Sequence, residues 1–166
     1  MRTGIALGSN LGDRLARLRA GRDFLESLHE GPHRAAVSRV YETEPVGCQH
    51  GVPAFLNAVV EIETHLDPAT LLGKLRALER EQGRADARAP NQPRPLDLDI
   101  LYADDLKIAA GPVIIPHPRA AARRFVLQPL ADIRPDLALP GGTQTVTESL
   151  AGLPPAPAVR LFAREW

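Results

Sequence analysis

The sequence holds one cysteine, Cys48, which excludes an internal disulfide and a cysteine-rich zinc site. Aromatic residues are only 4% of the 166 positions, too few for a platform that stacks nucleic-acid bases. The 20 basic and 20 acidic residues cancel, leaving no broad basic face for nucleic acid and no polybasic membrane anchor. No apolar run approaches the roughly 20 residues of a membrane span. The apolar start of the chain is too short for a signal peptide, and Asp13 follows soon after. His29, His33, His50, His65 and His117 lack zinc-ligand spacing. Lysine is scarce too: only Lys74 and Lys107 interrupt a basic complement otherwise made of arginine. The arginine fork suits phosphate oxygens, although genome base composition alone would give the same bias. The expectation is a cytoplasmic, monomeric protein with one domain over residues 1–166 and no nucleic-acid or membrane partner.

Hydrophobic content of 44% against 24% charge is the balance of a packed domain. The 16 prolines and 13 glycines gather at 45–53, 90–95, 112–118, 140–142 and 152–157, so long shaped loops interrupt the fold. Residues 3–7 read as a short buried strand. Leu15, Leu18, Phe24, Leu25 and Leu28 then mark a helix that stops at Gly31-Pro32. Residues 36–43 are β-prone. Residues 55–64 alternate cleanly, with Leu56, Ala58, Val60 and Ile62 on one face and Asn57, Val59, Glu61 and Glu63 on the other. Asp67-Pro68 opens a second helix with the stripe Leu71, Leu72, Leu75 and Leu78, ending at Gln82-Gly83. Residues 96–101 alternate again, and 106–108 suggest a hairpin return. One helical turn at 120–124, an extended piece at 125–127, a short helix at 147–151 and a strand at 159–162 complete the reading. This order predicts an α+β protein, a ferredoxin-like βαββαβ mixed sheet with helices on one face and long active-site loops. A plain α+β sandwich is the alternative.

Asp97-Leu98-Asp99 is the sharpest chemical feature. In a strand both carboxylates leave one face, with Cα atoms roughly 6.5–7 Å apart, while Leu96, Leu98 and Ile100 enter the core. Such a pair repels unless a cation or proton intervenes, and hard oxygen ligands on a rigid strand suit magnesium shared with substrate phosphates. A solvated strand face is the plainer reading. Arg84, Arg88 and Arg94 precede the pair in a proline-rich loop, either as phosphate ligands or as surface partners of Asp86, Asp97 and Asp99. His117 sits between Pro116 and Pro118, which restrict its backbone, and Arg119, Arg123 and Arg124 follow. Arg119 and Arg124 cannot point the same way as Arg123. Gly8-Ser9-Asn10-Leu11-Gly12 lacks the lysine of a phosphate loop and reads as a strand-to-helix turn capped by Asp13. No nucleophile elbow is present.

Taken together, several segments resemble the 6-hydroxymethyl-7,8-dihydropterin pyrophosphokinase family. They are Gly8 to Gly12, Tyr41-Glu42-Thr43-Glu44-Pro45-Val46-Gly47, Phe55-Leu56-Asn57-Ala58, Glu79 to Arg84, Pro93 to Ile100, and Pro116-His117-Pro118-Arg119 with Arg123 and Phe125. The resemblance covers roughly residues 3–140, and its P-R-x-x-D-L-D and P-H-P-R segments are highly specific. It implies transfer of diphosphate from ATP to the hydroxymethyl group of the pterin, with AMP leaving. It further implies two Mg2+ ions on Asp97 and Asp99. Arg94 and His117 would contact the ATP phosphates, Arg84 and Arg123 would close over the triphosphate, and Glu79 would lie at the nucleotide. Thr43, Pro45, Val46, Phe55 and Asn57 would line the pterin pocket. Asn57 would read the ring edges, Phe125 would stack on the ring, and Asp97 would also touch the pterin.

Two departures stand out. Asn91 occupies the position where many members carry a lid tryptophan, and Asp86 stands where a basic residue is common, so Arg88 receives no role. Beyond about residue 140 the resemblance is weak, and 143–166 reads as a peripheral element. The resemblance competes with a two-aspartate phosphodiesterase that needs neither Asn57 nor Phe125. It also competes with a noncatalytic anion-binding module.

Overall fold

The computed structural model describes residues 1–44, 53–83 and 94–166. Strand β1 (Arg2–Ser9) buries Ile5 and Leu7 on one face and carries Gly4, Ala6 and Gly8 on the other. Helix α1 (Arg14–Ser27) starts at Asp13, whose side chain accepts the Ala16 N–H at 3.0 Å. The β-prone run at 36–43 divides into β2 (Ala36–Val37) and β3 (Val40–Thr43). The break comes from two contacts with distant parts of the chain: Ser38 Oγ takes the Val59 N–H at 2.8 Å, and Arg39 N–H turns to Asp132 at 3.1 Å. Strand β4 (Phe55–Glu63) follows, then α2 (Pro68–Glu81), capped by Asp67 through the N–H groups of Ala69 and Thr70. Strand β5 (Asp97–Ala103) leads to a 3-10 turn at Ala120–Ala122, α3 (Arg124–Ile133), α4 (Val146–Gly152) and β6 (Val159–Ala163).

The sheet runs β5-β1-β4-β3-β6, with β2 also on β4. The α+β, ferredoxin-like arrangement holds. Its ladders are antiparallel throughout, where a mixed sheet was expected. The reason is that α2 connects β4 to β5 while β1 lies between them, so strands of like direction never become neighbours.

Both faces of the sheet are covered, not one. Ile5, Leu7, Ala58, Val60, Ile62, Leu98 and Ile100 meet the leucines of α1 and α2 in one core. Val59, Leu101 and Tyr102 meet Val126, Leu127 and Leu130 of α3 and Val146 of α4 in a second. The segment expected to be extended at 125–127 is the first turn of α3. Val126, Leu127 and Leu130 give it an apolar stripe, which Pro129 inside the helix had disguised. The hairpin return at 106–108 reduces to one bridge, Ile108 to Ile115. The residues read as peripheral are integral: α4 closes the second core, β6 pairs with β3, and Trp166 Nε1 donates to Ser38 O at 2.7 Å. Among the described residues no helix is long and apolar enough to cross a membrane.

Gly4 shows how tightly the second face is filled. A Cβ there would overlap the Tyr102 ring, whose buried hydroxyl donates to Glu61 Oε2, with Arg134 Nε 3.6 Å from the same oxygen. Gly4→Ala is therefore expected to lower the unfolding free energy by about 1–3 kcal/mol through overpacking. Denaturant titration measures this, and an unchanged midpoint would mean that the ring yields freely.

Candidate active site

One end of the second face, beside the first turn of α3, forms a cavity of about 560 Å³. Its floor is made by three adjacent strands. Gly8 of β1 pairs with Asn57 of β4 on one side and Asp97 of β5 on the other, and Ala6 pairs with Val59 and Asp99. A Cβ on Gly8 would lie 3.7 Å from Asn57 Oδ1 and 3.9 Å from the Asp97 Cβ, so the glycine leaves a shallow trough between the amide and the acid. Strand alternation puts Asp97 and Asp99 on this face while Leu98 and Ile100 enter the first core.

At the acidic end, Arg94 Nη1 meets Asp97 Oδ2 at 2.7 Å. His117 Nε2 lies 3.9 Å from Asp99 Oδ2, beyond hydrogen-bond reach. His117 Nδ1 accepts the Arg119 N–H at 3.1 Å, so the neutral ring carries its proton on Nε2, the nitrogen on the Asp99 side. Burial, and then Asp97, push the Asp99 carboxyl above its usual range, against His117, Arg123 and Arg94. Burial also holds the His117 imidazole below its ordinary value, against Asp99. Burial and then Arg119 lower Arg123, which stays charged all the same. The end is an acidic pair under strain, ringed by cationic and neutral donors.

At the other end, Asn57 Nδ2 donates to Thr43 Oγ1 at 2.7 Å, which fixes the amide with its oxygen toward Gly8. Phe55 and Phe125 supply apolar walls, and the Arg123 guanidinium lies 5.5 Å from the Phe125 ring centroid. Thr43, Phe55, Asn57, Arg94, Asp97, Asp99, His117, Arg123 and Phe125 thus come together in one cavity. Arg84, Pro45 and Val46, with Cys48, Arg88 and Asn91, lie outside the described residues. Glu79 is not on the cavity wall. It is buried, and its Oε1 accepts the Leu98 N–H at 2.7 Å on the edge of β5, between the two acids.

Three features escaped the sequence reading. Asn10 is buried and clasps Arg94: its Oδ1 accepts the Arg94 N–H at 2.6 Å, and its own N–H donates to Arg94 O at 3.1 Å. The small residues Gly4, Ala6 and Gly8 on alternate positions of β1 were a readable sign of a floor kept clear. Leu153, Pro154, Ala156 and Pro157 form part of the cavity wall, although nothing in their composition announces it.

Comparison with known proteins agrees with this geometry. The family model described as 7,8-dihydro-6-hydroxymethylpterin-pyrophosphokinase (HPPK) matches residues 4–135. The chain belongs to this family. A relative from Pseudomonas aeruginosa, named 2-amino-4-hydroxy-6-hydroxymethyldihydropteridine pyrophosphokinase, is 42% identical over 151 residues, covering 90% of each chain. A Bacillus subtilis relative of the same name is 44% identical over 129 residues, covering 78% of this chain and 75% of that one. Among solved structures, wild-type Plasmodium falciparum HPPK-DHPS with pteroate matches at TM-score 0.67 and 15% identity, over 90% of this chain. That likeness concerns the fold, and this HPPK chain spans 42% of the longer one.

Asn10→Ala in this HPPK should cost about 1–3 kcal/mol, since a buried hydrogen bond is removed. If Arg94 contacts the ATP phosphates, as the resemblance implies, loss of its clasp should raise the KM for ATP as well. Denaturation and steady-state kinetics check the two effects, and a variant normal in both would show that other contacts hold Arg94.

Proposed function

We infer that this cavity is where the pyrophosphokinase transfers diphosphate from ATP to the hydroxymethyl group of 6-hydroxymethyl-7,8-dihydropterin, a step of folate biosynthesis. The supporting observation is the pairing of Gly8 with Asn57 on one side and Asp97 on the other. It joins a slot suited to a flat polar-edged ring to an acidic end suited to a metal-bound polyphosphate. In that slot Asn57 and Thr43 read the polar edge of the ring, and Phe55 and Phe125 cover its faces. Arg94, His117 and Arg123 hold phosphate oxygens at the other end.

Mg2+ fits the donors present. Two carboxylates share one face, and the Asp99 carboxyl is pushed up by burial and by Asp97, a tension that a divalent cation relieves. Among the described residues no cluster of three or more His, Cys, Asp or Glu side chains could hold a metal alone, so Asp97 and Asp99 would hold it with phosphate oxygens supplying further ligands. Two ions are proposed, held by Asp97 and Asp99. When bound, they neutralise charge on the transferring phosphoryl groups.

The pterin hydroxymethyl oxygen forms a bond to the β-phosphorus as the bond from that phosphorus to the α,β-bridging oxygen breaks, so AMP leaves with that oxygen and the hydroxyl proton is lost to water. Arg94 and Arg123 offset the charge that moves to the leaving oxygens, and the floor and walls align attacking and leaving groups.

With Mg2+, ATP and the pterin, the protein should form AMP and no ADP, as followed by chromatography of the nucleotides. Release of ADP or inorganic phosphate would replace the transfer reading with hydrolysis. Asp99→Asn should leave the fold intact by circular dichroism and lower turnover at least about a hundredfold. Unchanged turnover would remove Asp99 from the metal site.

A further inference from the structure

The arginines near His117 divide their work. Arg119, Arg123 and Arg124 all line the cavity, although Arg119 and Arg124 were expected to point away from Arg123. Arg123 feels the charges of Asp99 and Asp97, but the adjacent Arg124 spends its guanidinium on backbone carbonyls. Its Nε donates to Pro154 O at 2.9 Å, and its Nη2 donates to Leu153 O at 2.7 Å and Leu150 O at 3.2 Å. Helix α4 ends at Gly152, so these acceptors lie at and just beyond its C-terminus, where carbonyls lack intrahelical partners and a cation is favoured.

The clamped segment is Leu153-Pro154-Pro155-Ala156-Pro157. Three of its residues are prolines, which have no N–H, so the segment has little backbone donor capacity with which to anchor itself. It is also stiff, and one well-placed clamp fixes it as a unit. Leu153, Pro154, Ala156 and Pro157 line the cavity. Two residues further on, Val159 of β6 pairs with Thr43 of β3, which places the segment beside the Thr43 end of the cavity, away from the acids. Arg124 itself begins α3, directly before Phe125.

We propose that Arg124 is a positioning residue for the pterin. By gripping the carbonyls of Leu150, Leu153 and Pro154 it holds segment 153–157 as the outer wall of the pterin slot, opposite the sheet floor, and sets the slot's width against Phe125. This rests on the assignment of the cavity made above. One side chain thereby ties the start of α3 to a wall contributed by a distant part of the chain.

The test is steady-state AMP formation by Arg124→Met and Arg124→Lys, with each substrate varied in turn. Arg124→Met should raise the KM for the pterin about tenfold, while kcat and the KM for Mg-ATP stay within about twofold. Arg124→Lys, which restores one donor, should recover part of the loss. If the pterin KM is unchanged while only the melting temperature falls, the role is structural and the proposal is overturned. Equal rises in both KM values, or a fall in kcat alone, would also overturn it. Should Arg124→Met fail to fold, Ala156→Leu decides, since it narrows the same wall with the clamp intact. A raised pterin KM supports the wall, and an unchanged one rejects it. Wild-type protein that forms no AMP would sink the assignment of the cavity itself, whereas active wild type with normal variants would sink only the role of Arg124.

Discussion

Strand β1 is hydrogen-bonded along both edges, to β4 on one side and β5 on the other, and the rest of the structure depends on that double ladder. It puts β4 and β5 in the same direction with a third strand between them. It also brings the amide of Asn57 and the acid of Asp97 to opposite sides of one glycine. On the cavity face of β1, Gly4, Ala6 and Gly8 are small, whereas Ile5 and Leu7 fill the opposite face. The two cores and the site follow from that division of faces.

The acidic end illustrates a cost accepted locally and offset nearby. Two like charges on alternate residues of one strand disfavour each other, and burial worsens the position of Asp99. Arg94 compensates at Asp97, and Asn10 holds the backbone of Arg94 so that the compensation is fixed in place.

How much could be read beforehand depended on whether a feature was local. The clean alternation in β4, the Asp67-Pro68 cap and the leucine stripe of α2 are local patterns, and they appear where the sequence placed them. Asp97 and Asp99 share a face for the same reason. The helix α3 was missed because Pro129 breaks the expected pattern, and tertiary burial of Val126, Leu127 and Leu130 overrides that local signal. The split of β2 from β3 depends on Ser38 reaching Val59 and Arg39 reaching Asp132, contacts that span 21 and 93 positions. The wall at 153–157 reaches the site only through the grip of Arg124 and the pairing of β6 with β3. Partnerships between distant positions leave no periodicity to detect.

The bond from Leu98 N–H to Glu79 has a meaning beyond satisfying one donor. β5 is an edge strand, and a slide of one residue along β1 would exchange its faces, sending both acids into the leucine-filled interior and lifting Leu98 into the substrate trough. A carboxylate anchored on α2 and fastened to the peptide between the acids opposes that slide. It also occupies a position from which a foreign strand could otherwise pair. Glu79 therefore serves as a register pin, keeping the acids pointed outward without facing the cavity itself.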